Sequence, residues 1–339
     1  MRLLIANRSV RPYLLLLAII VALWTLDQGR GRFFTAATAF SVLQQLATIG
    51  PIALGLGLSM IIREFDLSVG GMMSLAGCIA VLTGGRYPEL GVAFAVLFGF
   101  AWGIFQGAVM VWLRLGSIGV TLGGLLTLGG LAYVVTGNLS ISYPRMDVAM
   151  AVNHPLLQIF SPRSLITLAA FLVAAFFLAR TRVGRDIYAT GSDRRAAMVA
   201  GVRTNLIIPG VFACSGMLAA LCGSLLSYGL AAASGVALTD ALVPATAAAI
   251  IGGVSLTGGK GTPIGIVGGV LVLGLLSAGL EAIGTPPAVQ DVVTGGVLFL
   301  VAIADAIDLD SRLFAIRRFW AEVFRRTAGP GQNIASRIN

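Results

Sequence analysis

The sequence predicts an all-α fold, a polytopic membrane bundle of about ten transmembrane helices. Of its 339 residues, 57% are hydrophobic and only 11% are charged, whereas an ordinary soluble domain is roughly 25% charged. The apolar residues form long continuous runs, which exclude the two-residue alternation of an outer-membrane β-barrel. Glycine is abundant, at 44 residues, and small residues let helices pack closely in lipid. Together these observations place the chain in a membrane.

Ten segments approach the roughly 20 apolar residues that a membrane-spanning helix requires. The predicted spans are residues 12–27, 42–62, 69–83, 90–113, 118–137, 164–180, 206–230, 241–256, 262–283 and 287–306. The first span follows a basic start without a clear signal-peptidase site, so we predict an uncleaved first helix.

Basic residues set the predicted orientation of these spans. With the N-terminus in the cytoplasm, 18 of the 23 lysines and arginines fall on the cytoplasmic side. The positive-inside rule therefore predicts that both termini are cytoplasmic. The same orientation signals account for the net charge of +9, and nucleic acid is not an expected partner.

The segments outside the spans are too short for a soluble catalytic domain. We predict one transmembrane domain at residues 1–310, which includes an inner loop at 181–205, and a basic cytoplasmic tail at 311–339. His154 is the single histidine, and the three cysteines lie in apolar segments. A zinc site or a histidine-dependent nucleophile is therefore not expected, and neither is a cofactor or an enzymatic reaction.

Between the second and third spans the chain reads REFDLSVGG, residues 63–71. Asp66 or Ser68 is suited to cap the short third helix, because their side-chain oxygens accept hydrogen bonds from its unpaired N–H groups. Gly70 and the glycine after it allow a tight turn or close packing. The alternative is a broken-helix element of a transport pathway or its gate. The sequence leaves both interpretations open.

A second stretch, IIGGVSLTGGKGTPIGIVGG at residues 250–269, has a similar layout. A short apolar segment again meets a glycine-rich turn, which indicates an internal repeat flanking a pathway. Its TGGKGT is not a P-loop, because glycine follows Lys260 and valine stands five residues before Gly259. If transport uses ATP, another chain must therefore bind it.

The inner loop contains SDRRAAMVAG, residues 192–201. Helix-forming residues lie between Gly191 and Gly201, with Ser192 or Asp193 as the predicted N-cap. A short helix at the cytoplasmic mouth would suit docking of a partner. The alternative is a solvated basic loop that only fixes topology.

Glycines recur at four-residue spacing within three spans. They are Gly99, Gly103 and Gly107, then Gly119 and Gly123, then Gly265 and Gly269. In an apolar helix this spacing is typical of a close-packing face. We predict packing within the subunit, with a subunit interface as the alternative.

Three motifs in this order resemble the permease subunits of bacterial ABC importers for ribose, xylose and related simple sugars. They are FDLSVGGMMSLAG, GRDIYATGSDRRAAMVAGV and IIGGVSLTGGKGTPIGIVGGVLVLGLLSAGLEAIG, and the resemblance runs from about residue 33 to 305. Related branched-chain amino-acid permeases usually carry an Asn-Phe-Ala-His-Gly-like turn in place of FDLSVGG, so the sugar branch is preferred.

The resemblance implies partners and a location. Two permease subunits, expected to be a homodimer, would surround a central pathway in the bacterial inner membrane, in contact with membrane lipid. Two cytoplasmic ATPase subunits would drive transport, and a periplasmic binding protein would deliver the solute.

The resemblance also implies roles for residues. The inner loop would be the coupling helix that contacts the ATPase, through Gly191, Ser192, Asp193, Arg194, Arg195, Ala196, Ala197 and Gly201. Arg195 stands where glutamate is typical of the family signature. The pathway or gate candidates are Asp66, Ser68, Gly70, Thr121, Ser255, Gly258 and Gly259. Around Thr121 only a Thr-Leu pair fits the sugar-permease pattern, so the pathway lining differs there.

The sequence therefore predicts an ABC importer permease for a simple sugar or related polyol, without an ATPase site of its own. One alternative keeps this machinery but carries a nucleoside, an amino acid or an autoinducer-like solute. Another class of alternative is a stand-alone secondary transporter, against which the lack of a clear mid-span carboxylate argues. A structural membrane scaffold is a third.

Overall fold

The computed structural model describes residues 10–27, 31–235 and 241–306. These residues form thirteen helices and one short β-ladder. The helices are α1 (Arg11–Leu26), α2 (Ala36–Ile61), α3 (Val69–Thr83), α4 (Pro88–Leu113), α5 (Ser117–Thr136), α6 (Met146–Asn153), α7 (Pro162–Arg180), α8 (Arg182–Ser192), α9 (Arg194–Val199), α10 (Thr204–Gly229), α11 (Leu242–Ile251), α12 (Pro263–Ala282) and α13 (Pro287–Ala306). The strands are β1 (Ile141–Ser142) and β2 (Ala232–Ala233).

The all-helical prediction is confirmed, and each of the ten predicted spans overlaps a helix. Six described helices, namely α2, α4, α5, α7, α10 and α12, are long and apolar enough to cross a membrane. Shorter apolar helices occupy residues 11–26, 69–83, 242–251 and 288–300. The count of ten spans and the sides of the termini remain predictions. The predicted tail at 311–339 and the first nine residues lie outside the described residues.

Two predicted span boundaries differ from the helices for identifiable reasons. Helix α2 begins six residues before the predicted span, because the Thr35 side chain caps it by accepting a hydrogen bond of 3.1 Å from the Thr38 amide. Helix α11 ends at Ile251 rather than near residue 256. Two residues after its end, Gly253 adopts a left-handed φ of +84°, which does not continue the helix. A hydropathy window detects neither a polar cap nor a left-handed turn.

Among the described residues, those up to Thr294 form one compact unit, and those from Gly295 to Ala306 belong to a second. In the first unit α10 lies at the centre and packs against α4, α3 and α2, while α12 packs against α2, α11 and α1. Helices α2, α10 and α12 are mostly buried, whereas α4, α5 and α7 expose broad apolar faces. Such faces are expected of helices that contact lipid.

Helices α4 and α10 approach closely along the glycine-rich face of α4. A Cβ added to Gly99 would contact the Gly216 carbonyl, and one added to Gly103 would contact the Phe212 carbonyl. A Cβ on Gly107 would likewise meet the backbone of Pro209. The prediction that this run packs within the subunit is therefore confirmed.

The α5–α7 connection folds back onto the bundle. Strands β1 and β2 pair antiparallel, with Ile141 opposite Ala233. Nearby, the rings of Tyr143 and Tyr228 stack at a centroid distance of 4.7 Å. The Tyr228 hydroxyl lies 3.0 Å from the Ala80 carbonyl oxygen, so these contacts tie the loop to α3 and α10.

We expect Gly103→Leu to lower the unfolding temperature, because the added side chain has no room between two backbones and overpacking costs about 1–3 kcal/mol. Gly119→Leu is the matched control. The prediction that Gly119 and Gly123 pack within the subunit is wrong, since a Cβ at either position meets nothing within 4 Å. Thermal unfolding of the purified protein in detergent, followed by intrinsic fluorescence, measures both. Equal unfolding temperatures for the two variants would contradict the packing assignment.

Candidate functional site

Three loops that are distant in sequence meet at one end of the bundle. The α2–α3 turn, the end of α8 and the α11–α12 turn are joined by two backbone-directed contacts. The Gly259 amide donates to the Ile61 carbonyl at 2.8 Å, and the Tyr188 hydroxyl donates to the Gly261 carbonyl at 2.7 Å. We call residues 61–65, 188–194 and 258–261 the junction. It unites the three motifs on which the sequence interpretation depends.

Gly191 allows the closest approach within the junction. A Cβ at this position would collide with the Ile61 carbonyl oxygen and would lie 2.8 Å from the Gly259 amide nitrogen. The two turn glycines, Gly258 and Gly259, have φ values of +78° and +68°, a region that L side chains rarely adopt. The backbones therefore meet directly, without side chains between them.

Two charged contacts link the α8–α9 segment to the α2–α3 turn. Arg63 Nη2 donates to the Ser192 carbonyl oxygen at 2.5 Å. Arg194 Nη1 lies 3.6 Å from Glu64 Oε1, and Glu64 is the more buried partner, with 17% of its side chain exposed. Burial raises the pKa of Glu64, while a hydrogen bond from Ser117 and the charge of Arg194 act in the opposite direction. Movement of α9 would therefore disturb a partly desolvated ion pair.

The start of α5 is fastened to the same turn. The Phe65 amide donates to Ser117 Oγ at 3.1 Å. Thr121 Oγ1, which is fully buried, donates to the Phe65 carbonyl at 3.0 Å. Both backbone polar groups of Phe65 thus bind α5 side chains, which ties the start of α5 to the turn.

Asp66 lies beside the junction in a buried polar network. Its side chain is 1% exposed, and its Oδ1 accepts hydrogen bonds from Ser68 N at 3.1 Å and Ser68 Oγ at 2.6 Å. Ser68 Oγ also lies 2.8 Å from Gln106 Oε1, on α4. Since a hydroxyl has one proton, it cannot donate to both acceptors. No salt bridge to Asp66 occurs among the described residues.

The predicted cap of α3 takes a different form from the one expected. Ser68 is the N-cap residue, but its side chain makes no capping hydrogen bond to the first turn. The Asp66 carboxylate instead accepts the Ser68 amide and fixes the turn before the helix. Gly70 is buried within the first turn of α3.

The predicted helix in the inner loop is present as α9. Its N-cap is Asp193, whose carboxylate accepts from the amides of Arg195 at 2.9 Å and Ala196 at 3.0 Å. These hydrogen bonds lower the pKa of Asp193. Ala197 is buried, while most of α9 is exposed, and Gly201 follows with a φ of +87°. The helix is thus anchored at one end and presents a free surface.

The structure brings some of the predicted residues together and separates others. Gly191, Ser192, Gly258 and Gly259 lie in the junction, and Asp66, Ser68, Gly70 and Thr121 adjoin it. Ser255 lies in the α11–α12 turn, and its hydroxyl forms a hydrogen bond of 2.8 Å with the Thr257 hydroxyl. Arg195, Ala196 and Gly201 lie on the exposed side of the loop, away from the junction contacts.

Sequence reasoning missed four residues that connect the site: Glu64, Gln106, Ser117 and Tyr188. Two of them carried a detectable signal. Glu64 is an acid between apolar segments, and Gln106 is a side-chain amide next to the glycine face of α4. Their partners are set by tertiary contacts, which the chain order does not reveal.

Six membrane-length apolar helices indicate a multi-pass membrane protein, and a short exposed helix lies beside the junction. The chain belongs to the family described as branched-chain amino acid transport system / permease component, whose model matches residues 38–302.

Curated relatives match over most of their length. The chain is 31% identical over 297 residues to the ribose import permease protein RbsC of Escherichia coli K12, covering 86% of this chain and 92% of the relative. It is 31% identical over 305 residues to the autoinducer 2 import system permease protein LsrC of Photorhabdus laumondii, covering 88% and 89%. LsrC of Yersinia pestis is 31% identical over 326 residues, covering 93% and 91%. No solved structure matches the chain.

The resemblance to import permeases of the simple-sugar type is thus confirmed by whole-chain similarity. The chain is a transport protein of the ABC import permease class, and its apolar helices fit that class.

We expect Gly191→Val to lower the unfolding temperature by about 5 °C or more, because the side chain would push the Ile61 carbonyl out of the junction. Ala200→Val, at an exposed position at the end of α9, should leave the unfolding temperature unchanged. Fluorescence-detected melting in detergent provides the comparison. A Gly191→Val protein that melts with the wild type would show that the backbones do not meet here.

Asp66→Leu should destabilise the protein, because the Ser68 amide and hydroxyl would lose a buried acceptor, at a cost of about 1–3 kcal/mol. Asp66→Asn retains an acceptor oxygen and should melt close to the wild type. Solute uptake by the Asn variant then separates the two roles: a structural acceptor preserves uptake, whereas a gate that needs the charge loses it. Wild-type stability of Asp66→Leu would contradict the structural role and leave only the gate.

Proposed function

We propose that this chain is the membrane permease subunit of an ATP-driven ABC importer for a simple sugar or related polyol. The junction is the observation that carries the proposal, because it connects an exposed helix to the ends of the long transmembrane helices. Whole-chain similarity to a ribose import permease supports the sugar cargo.

Coupling would begin at α9. The segment Gly191–Gly201 would dock into a separate cytoplasmic ATPase, with Arg194, Arg195, Ala196 and Ala197 on or beneath the docking surface. A shift of α9 would reach the α2–α3 turn through the Glu64–Arg194 pair. It would reach α12 through the Gly259–Ile61 hydrogen bond, so ATP-driven motion would enter the bundle at several helix ends together.

Helix α5 is the proposed moving element. It packs mainly against α3 and leaves most of its surface exposed, so few contacts oppose its displacement. Its first turns are tied to the junction by Ser117 and Thr121. Thr121, Asp66, Ser68, Gly70, Ser255, Gly258 and Gly259 would then form the hinge or gate of the pathway rather than a solute-binding site.

The proposed assembly contains two copies of this chain, two ATPase subunits and a periplasmic solute-binding protein in the bacterial inner membrane. The sequence supports a separate ATPase, since TGGKGT does not match a P-loop. Both termini are proposed to be cytoplasmic, with the transmembrane domain at 1–310 followed by a basic tail at 311–339.

An autoinducer-like solute is the second candidate cargo. It is favoured by the similarity to two autoinducer 2 import permeases, at the same identity as to the ribose permease.

Reversal of one charge in the Glu64–Arg194 pair should weaken coupling. We expect Arg194→Glu to lower solute-stimulated ATPase activity of the reconstituted importer about threefold, since partly exposed pairs are worth ~1 kcal/mol or less. The double variant Glu64→Arg/Arg194→Glu should recover most of the activity, because it restores the pair with opposite polarity.

Arg114→Glu is the control for this series, because Arg114 is exposed and has no salt bridge among the described residues. It should leave stimulation unchanged. If all variants insert normally but the double variant does not recover stimulated ATPase activity, the Glu64–Arg194 pair has no role in coupling.

Ligand screening of the partner binding protein by thermal shift tests the cargo. Stabilisation by ribose or a related pentose, followed by uptake of that sugar in the reconstituted importer, is the expected result. If autoinducer 2 stabilises the binding protein and no sugar does, the cargo is the second candidate rather than a sugar. Uptake driven by a proton gradient with this chain alone would contradict the whole proposal.

A further inference from the structure

An apolar groove opens on the side of the bundle between α2, α7, α8 and α10. Its volume is about 520 Å³, within the ~300–1,000 Å³ of typical ligand sites. Its lining consists of Leu, Ile, Val, Ala, Phe, Met, Gly and Cys, without a hydroxyl, amide or charged side chain. We call it the α7–α10 groove.

The groove opens on the outer surface of the bundle, and two of the helices that line it, α7 and α10, are long enough to span a membrane. Val173 on α7 and Leu206 on α10 line it and are 67% and 65% exposed. Gly210 and Cys214 line the wall on α10 and are also exposed. Since both helices qualify as membrane spans, hydrocarbon rather than water is the medium that would fill this cleft.

Exposed arginines lie next to lining residues in the chain, at the end of the groove formed by α8. Arg180 and Arg182 flank the α7–α8 corner, immediately before the lining residue Val183. Arg203 precedes α10, three residues before Leu206. All three arginines are exposed, and they have no ion pair among the described residues.

Two further charges of α8 adjoin this corner. Arg185 is exposed and adds to the positive charge, while Asp186 is the acid on this helix. The corner therefore has a net excess of three positive charges beside a wholly apolar cleft. Basic sites at the cytoplasmic ends of transmembrane helices attract anionic lipid headgroups.

We propose that the α7–α10 groove binds one anionic phospholipid, with an acyl chain along the groove and the phosphate at Arg180, Arg182 and Arg203. The pairing of a hydrocarbon cleft with an uncompensated cationic rim selects this ligand over a zwitterionic lipid. Because α8 contributes both the rim and Ile187 in the groove wall, bound lipid would fix the position of the helix that leads into α9.

Native mass spectrometry of the full chain in detergent tests the site, with phosphatidylglycerol and phosphatidylcholine of identical acyl chains as probes. We expect phosphatidylglycerol to bind at least about tenfold more tightly. Arg180→Gln/Arg182→Gln/Arg203→Gln should abolish this preference, and the single variant Arg182→Gln should reduce it if the triple variant is unstable. Arg114→Gln is the matched charge control and should retain it.

Gly210→Leu tests the groove itself. A Cβ at Gly210 meets nothing within 4 Å, so the leucine should occupy the cleft without distorting the backbone and should displace the acyl chain. Gly130→Leu, at an exposed glycine of α5 that is equally open, is the control. Equal binding of the two lipids, or full phosphatidylglycerol binding by Gly210→Leu, would overturn the proposal.

Discussion

The direct meeting of three loop backbones at one end of the bundle is the constraint on which the rest of the structure depends. Gly191 has no side chain, so the end of α8 reaches the Ile61 carbonyl, and the Gly259 amide donates to the same oxygen. Buried backbone groups in an apolar environment are costly to leave unpaired. The junction therefore holds the ends of α2, α8 and the α11–α12 turn at fixed separations.

This arrangement connects a short exposed helix to the end of a membrane-length helix, α5. Helix α9 is too short to be stable alone, but Asp193 caps it and Ala197 anchors it. Its contacts lead through Glu64 to Phe65, whose backbone is held by α5. These contacts form the continuous chain of hydrogen-bonded and ion-paired groups on which the proposed coupling route depends.

Much of the fold was predictable because hydropathy and capping act locally. The short α3, the helix after Asp193 and the close-packed glycine face of α4 were predicted from neighbouring residues alone. The early start of α2 was missed because its first turns are polar and depend on the Thr35 cap. The ladder between β1 and β2 was missed because two residues on each strand give no periodic signal.

The candidate site was predictable in its parts but not in its assembly. The three motifs were recognised separately. The glycine-rich turn at Gly258 and Gly259 was predicted correctly, whereas Gly70 lies within α3 and Gly191 within α8. Glu64 and Arg194 pair across about 130 positions of chain, a contact that exists only when the bundle has formed. The roles of the junction residues in transport remain predictions that depend on which side of the membrane α9 occupies.

Labelling of Val199→Cys by a membrane-impermeant maleimide tests that point most directly. Val199 is 91% exposed on α9, and Cys214, the one exposed native cysteine, would be replaced by alanine. The account predicts rapid labelling in inverted membrane vesicles and protection in intact spheroplasts. Labelling from the outside of spheroplasts would place α9 beyond the reach of a cytoplasmic ATPase and contradict the account.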